Sequence, residues 1–180
     1  IFSMKTALVG VAGLAGIGLM VRSSLKLVDA NKKLADRLGL TTQQLAGYEL
    51  ASVLAGESVE TVQSAFQKLS KNIYEASRNL GTAVYGLDRL NLEAKTLMTM
   101  SFDDQIKLIS DRISDLSTQS EKLGVASQLF GRAGMVMVNM LDLGADGLSK
   151  MQQEALKLGI ALSSASAKGI EDFNDSLSSF

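Results

Sequence analysis

The sequence contains no proline, no cysteine, no histidine and no tryptophan in its 180 residues. At an ordinary frequency of about 5 %, about nine prolines would be expected in a chain of this length. Without cysteine there is no disulfide scaffold. Without cysteine and histidine together there is no ordinary zinc site, no haem or iron–sulfur ligand set, and no nucleophile–base pair built on thiolate or imidazole. Any chemistry is left to Asp, Glu, Lys, Ser and Tyr. Charge of one sign is missing too: 18 basic against 19 acidic side chains leave a net charge of −1, which supplies no global field to attract nucleic acid or an anionic membrane.

What is present is apolar surface to bury. With 46 % hydrophobic and 21 % charged residues, the composition is that of a folded chain rather than a disordered one. The length allows one domain or a rod of helices. The absence of cysteine is compatible with any redox compartment, and an opening at Ile1 instead of Met leads us to expect a piece of a longer polypeptide.

Glycine and the Ser, Thr, Asp and Asn caps supply all the punctuation. No stretch alternates cleanly with period two, so the chain reads as all-α: several helices joined by short Gly/Ser/Thr turns, extended or loosely bundled, with heptad seams for oligomer packing. Residues 1–38 form an N-terminal unit, apolar and Gly/Ala-rich and then amphipathic; residues 39–180 form the remaining helical region.

The N-terminal unit holds the apolar run Ala7–Val21, bracketed by Lys5 and Arg22. As a helix it spans about 22 Å, short of the roughly 30 Å hydrocarbon core. A signal-peptide core has this length, but Arg22-Ser23-Ser24 is a poor cleavage site. Gly10, Gly13, Gly16 and Gly18 give it a small-residue surface suited to close helix contact, in an oligomer or in a membrane. Past Arg22 an amphipathic stretch carries Leu27, Leu34 and Leu38 and stops at Gly39.

Thr41 and Gln44 have capping-box spacing and open a helix with Leu45, Tyr48 and Leu54. Ser58 caps the most regular segment, residues 59–80. There Val59, Val62, Phe66, Leu69, Ile73, Ala76 and Leu80 recur at steps of three and four, with Gly81 closing the seam. Short helices are predicted around Val84 and Leu87 and around Leu97. Ser101 starts a further seam over 106–123, with Ile106, Ile109, Ile113, Leu116 and Leu123. The turn-rich part 129–159 includes the run Met135–Leu141, read as one buried helix. A last helix over 164–180 carries Ile170, Phe173 and Leu177.

The sites that this composition allows fail on spacing. Gly13 and Gly18 are separated as in a P-loop, but Leu19-Met20 replaces the required Lys and Ser/Thr. Gly16-Ile17-Gly18 lacks the third glycine of a dinucleotide fingerprint at Val21. Asp142–Gly147 begins like a calcium loop but offers Gly144 and Gln153 where oxygen ligands must stand. Asp103, Asp104, Asp111 and Asp115 could be drawn as paired carboxylates; Lys107, four residues from both Asp103 and Asp111, makes a solvated helix face with ion pairs the favoured reading. Basic residues are scattered singly with no aromatic interleaving, so no direct nucleic-acid site is expected. No catalytic, cofactor or metal-binding residue is assigned.

A series of motifs runs in order along the chain: Ala35-Asp36-Arg37-Leu38-Gly39-Leu40-Thr41 leading to Leu45 and Tyr48; Val62 with Ala65-Phe66-Gln67-Lys68-Leu69-Ser70 and Asn72-Ile73; Leu129-Phe130-Gly131-Arg132-Ala133-Gly134; Met140-Leu141; Gly144-Ala145-Asp146-Gly147-Leu148; and Ala165 through Asp172-Phe173-Asn174-Asp175-Ser176-Leu177. Taken together, in this order, they resemble the tape-measure proteins of long-tailed bacteriophages. The sequence departs from that family in its missing prolines and in the apolar residues 7–21. The resemblance implies a non-enzymatic structural protein of the virion. It would stand in the tail lumen or tip, be made in the host cytoplasm, set tail length and be expelled during genome delivery. It also implies several copies side by side, often three, contacts with tail-tube and tail-tip proteins, and an encounter with the host membrane at infection. The alternative from the residues alone is a pore-forming or membrane-anchored helical protein using residues 7–21.

Overall fold

Four of the helices begin in the same way, at a hydroxyl side chain that takes up a backbone N–H left over in the first turn. Thr41, Ser58, Ser101 and Thr118 accept from the N–H of Gln44, Thr61, Asp104 and Glu121 at 3.1, 3.3, 3.2 and 3.2 Å. At Thr41 the box is complete, with Gln44 Oε1 accepting the Thr41 N–H at 2.8 Å. The computed structural model describes residues 32–157.

Among those residues the chain is all-α, with ten helices and no strand. They are α1 (32–38), α2 (Thr42–Leu54), α3 (Val59–Ser77), α4 (Ala83–Arg89), α5 (Ala94–Leu97), α6 (Phe102–Ser114), α7 (Gln119–Phe130), α8 (Arg132–Val136), α9 (Val138–Leu141) and α10 (Gly144–Lys157). The amphipathic stretch ends where expected: Gly39 takes φ +68° and the Leu40 N–H turns back to the Ala35 carbonyl at 2.8 Å. The small-residue run with Gly10, Gly13, Gly16 and Gly18, the start of the N-terminal helix, and the last helix with Ile170, Phe173 and Leu177 lie outside the described residues.

The central helix is α3. Val62, Phe66, Leu69, Ile73 and Ala76 are buried along one side of it, and Val59 is half-buried at its first turn. The Phe66 ring meets two others edge-on, Tyr48 of α2 at 5.0 Å and Phe102 of α6 at 5.7 Å between centroids. Ile106, Ile109 and Ile113 of α6 and Val125, Ala126, Leu129 and Phe130 of α7 complete one continuous core with the α3 seam. The seam residues are therefore covered by other helices of the same chain.

Three boundaries differ from the sequence-based expectation. The α3 helix ends at Ser77, because Asn79 takes the left-handed conformation (φ +59°) and the Leu80 N–H returns to the Glu75 carbonyl at 2.9 Å; Leu80 is left 52 % exposed. The seam over 106–123 is divided between two helices. Ser114 ends α6 and Thr118 caps α7, so Leu116 stands in the connector and Leu123 on α7, each half-buried against the same core. The run Met135–Leu141 is broken at Met137 into α8 and α9; Met137 and Met140 are buried, whereas Met135 and Val136 are exposed. The crossing of α7 and α8 is the physical reason: a Cβ on Gly134 would lie 2.1 Å from the Ala126 carbonyl oxygen, so only glycine lets α8 fold back this closely.

A second close crossing joins α2 and α10. They run antiparallel, with Ala46 beside Ala155 and Gly47 against Gln152, where an added Cβ would stand 2.5 Å from the Gln152 Cα. These two glycines contrast with Gly124, on an open helical face with nothing within 4 Å. We expect Gly47→Ala and Gly134→Ala each to lower stability by about 1–3 kcal/mol or more through forced separation of helices. Gly124→Ala should raise it by about 0.5–1 kcal/mol through helix propensity. Urea denaturation followed by circular dichroism measures all three; equal effects would show that the crossings are not tight.

Candidate functional site

The main concentration of buried polar groups lies where α2, α6 and α10 meet. Asp103, in the first turn of α6, is 5 % exposed. The Tyr48 hydroxyl of α2 donates to Asp103 Oδ1 at 2.7 Å, and Gln152 Nε2 of α10 donates to the same oxygen at 2.7 Å. Lys107, one turn along α6, places Nζ 2.7 Å from Oδ2 and also donates to Gln152 Oε1 at 3.1 Å. The cluster closes on itself, and its four members come from three helices.

Its electrostatics follow from these contacts. Burial pushes the Asp103 carboxyl upward, but the bonds from Lys107, Tyr48 and Gln152 and the Lys107 charge outweigh it and hold the group below the usual carboxylate range. The Tyr48 phenol is driven far above its usual value, first by burial and then by the bond to the Asp103 carboxylate. At neutral pH the site is thus an ionised carboxylate held by neutral phenol and amide donors and one ammonium. Such an arrangement stabilises a charge, with Tyr48 fully buried beneath it.

The sequence-based expectation placed Asp103 and Lys107 on a solvated face, and that is corrected here. Lys107 pairs with Asp103 as proposed, but the pair is largely enclosed, with side chains 20 % and 8 % exposed. Asp111 does not pair with Lys107: its Oδ1 accepts the Ala145 N–H at 2.6 Å at the start of α10. Asp142-Leu143 connects α9 to α10 and Gly144–Gly147 is the first turn of α10; among the described residues no group of three or more acidic, His or Cys side chains is gathered to hold a metal ion. A signal for Asp103 was present: it lies three residues before Ile106 and ten before Ile113, on the apolar stripe of α6. Tyr48, three residues after Leu45, and Gln152, four after Leu148 and three before Ala155, carried the same mark, but no spacing pointed from either to Asp103.

A second buried amide serves the turn after α7. Asn72 donates through Nδ2 to the carbonyls of Leu129 at 2.8 Å and Gln128 at 3.2 Å, two acceptors that the end of α7 leaves without helical partners. Gly131 follows with φ +69°, against the Lys68 side chain. The surface carries a cleft of about 410 Å³ bordered by Ser77, Val84, Leu87, Asp88, Glu93 and Lys95. A groove of about 370 Å³ lies between Leu38, Ile73, Tyr74, Met98, Met100 and Phe102.

Of the residues singled out from sequence, Val62, Phe66, Leu69, Ile73, Ile106, Ile109 and Ile113 come together in the core, with Leu116 at its edge. Comparison with protein-family models, curated proteins and solved structures returns no match for this chain.

Loss of the phenol in Tyr48→Phe removes a bond to a charged acceptor and should cost about 1.5–3 kcal/mol, whereas Asn72→Ala leaves two carbonyls unmet and should cost about 1–3 kcal/mol. The two sites share no partner, so the double variant should be additive within about 0.5 kcal/mol in urea denaturation. Strong coupling would mean that the two sites open as one.

Proposed function

We propose that this chain is a segment of a phage-tail tape-measure protein. It acts in the tail lumen or tip, as several copies, in setting tail length and in genome ejection, with no enzymatic step of its own. One observation carries this: the ordered series of motifs from Ala35 to Leu177, whose spacing as a set is more specific than any single piece.

The positions of those motifs support the reading. Ala35 and Gly39-Leu40 form the turn that ends α1. Tyr48, Phe66 and Leu69 lie at the centre of the core, and Leu129-Phe130-Gly131 ends α7 under the Asn72 amide. Gly144-Ala145 begins α10 on the Asp111 carboxylate. The resemblance thus falls on residues that decide turns and packing, where a structural protein carries its information. The membrane alternative rests on residues 7–21, outside the described part; among the described residues no helix is long and apolar enough to cross a membrane.

The reading frame containing this chain is expected to be very long, rich in helical sequence and placed among tail genes. In purified virions the chain should be found by mass spectrometry. In-frame removal of residues 32–157 should shorten the tail seen by electron microscopy by up to about 190 Å, at about 1.5 Å per helical residue. A frame of about 200 residues, or virions that lack the chain and keep their tail length, would overturn the proposal.

A further inference from the structure

Of the long helices, α10 has the weakest apolar hold. Its fully buried hydrophobic residues among those described are Leu148 and Ala155, and Ala155 packs only in a small separate cluster with Ala46 and Leu50. By contrast α3 buries Val62, Phe66, Leu69 and Ile73 in the main core. Two side-chain bonds from α6 meet at Gln152 in the middle of α10, through Asp103 and Lys107, and a third, from Asp111 to the Ala145 N–H, holds its first turn. Every contact on the Asp103 carboxylate comes from a donor: Tyr48 and Gln152 on Oδ1, Lys107 on Oδ2. An added proton therefore meets the Gln152 amide on Oδ1 and the Lys107 ammonium on Oδ2; the Tyr48 hydroxyl accepts it only by turning its own hydrogen to the Asp103 carbonyl at 3.4 Å, a longer bond than the 2.7 Å one it gives up.

We propose that the Tyr48–Asp103–Gln152–Lys107 cluster is an acid-released latch: protonation of Asp103 lets α10 leave α2 and α6 while α3, α4 and α7 stay packed. The latch opens in this order because the two halves are held differently. Pairs among α3, α4 and α7 rest on the apolar core and on the Asn72 amide, neither of which changes charge; the Arg89–Glu121 ion pair that also joins α4 to α7 lies at the surface, where such a pair adds little. Opening also lets the half-enclosed Lys107 ammonium reach water, which removes the cost of leaving it beside a neutral acid.

The groups that set the response are few. From α2 the Tyr48 phenol faces Asp103; Glu49, next in sequence, accepts from Gln63 at 3.1 Å. From α6 come Lys107 and Asp104, the latter accepting from the Ser101 hydroxyl at 2.5 Å. From α10 comes the neutral Gln152 amide, with Glu154 two residues on. Asp103 sits below its ordinary value when folded. Its contribution to stability is therefore present above about pH 4, the usual unfolded value, and is lost as pH falls through the lower folded one.

The chain has no cysteine, so spin labels can be placed on chosen pairs. The reporting pair is Ser64→Cys on α3 with Leu156→Cys on α10, and the control is Ser64→Cys with Gly124→Cys on α7, all exposed positions. In the full chain the reporting distance should lengthen as pH is lowered from about 7 to about 3 while the control distance holds. Asp103→Asn, which offers a donor in place of one carboxylate oxygen, should show the long distance already at neutral pH. Gln152→Leu should release about one pH unit higher than the parent, the equivalent of one lost bond to the charged group. If Asp103→Asn lengthens the control pair as well, Gln152→Leu decides. A constant reporting distance down to about pH 3, lengthening of both pairs together in the parent, or a Gln152→Leu release at the parent's pH would each overturn the latch.

Discussion

Tyr48 joins the two kinds of interaction on which this fold depends. Its ring stands edge-on to Phe66 in the apolar centre, and its hydroxyl is bonded to the buried Asp103 carboxylate. A single side chain thus fixes α2 against α3 by dispersion and against α6 by a charge-assisted bond. The Phe66 ring passes the same restraint on to Phe102, the residue before Asp103, so the aromatic trio and the polar cluster position each other. Displacing α2 would disturb both at once.

Around that point the molecule is built in two ways. On one side α3, α4 and α7 pack through aliphatic side chains and are closed by Asn72, which takes up carbonyls at the end of α7. On the other, α2 and α10 approach almost backbone to backbone at Gly47 beside the small Ala46–Ala155 contact, and polar bonds tie α10 to α6. Apolar burial is indifferent to pH and direction; bonds to a buried carboxylate depend on both. Under the latch proposed above, the molecule has a durable part and a part whose attachment is conditional.

Much of this was legible in the residues. The Ser and Thr caps at 41, 58 and 101 lie where hydroxyls precede helical runs, and the α3 stripe from Val62 to Ala76 follows the helical period without a break; Thr118 went unread, because the apolar spacing over 106–123 runs past it. Helix ends were harder. Asn79 takes a left-handed turn four residues after Glu75 and stops α3 before Gly81, and the Met135–Leu141 run breaks although all of it but Asn139 is apolar. The first is a local turn closed by the Leu80 N–H on the Glu75 carbonyl, and the second accompanies the close approach of Gly134 to the Ala126 carbonyl.

By itself the sequence determined the all-α class, the starts of α2, α3 and α6 and much of the core, because caps and periodicity act within a few residues and burial follows from their pattern. It also determined which chemistries are absent, since the residues that perform them are absent. Only the tertiary structure decided that a carboxylate four residues from a lysine would be enclosed and not solvated. The partners that enclose it, Tyr48 and Gln152, stand 55 and 49 residues away from Asp103, and no local spacing records a bond across that separation.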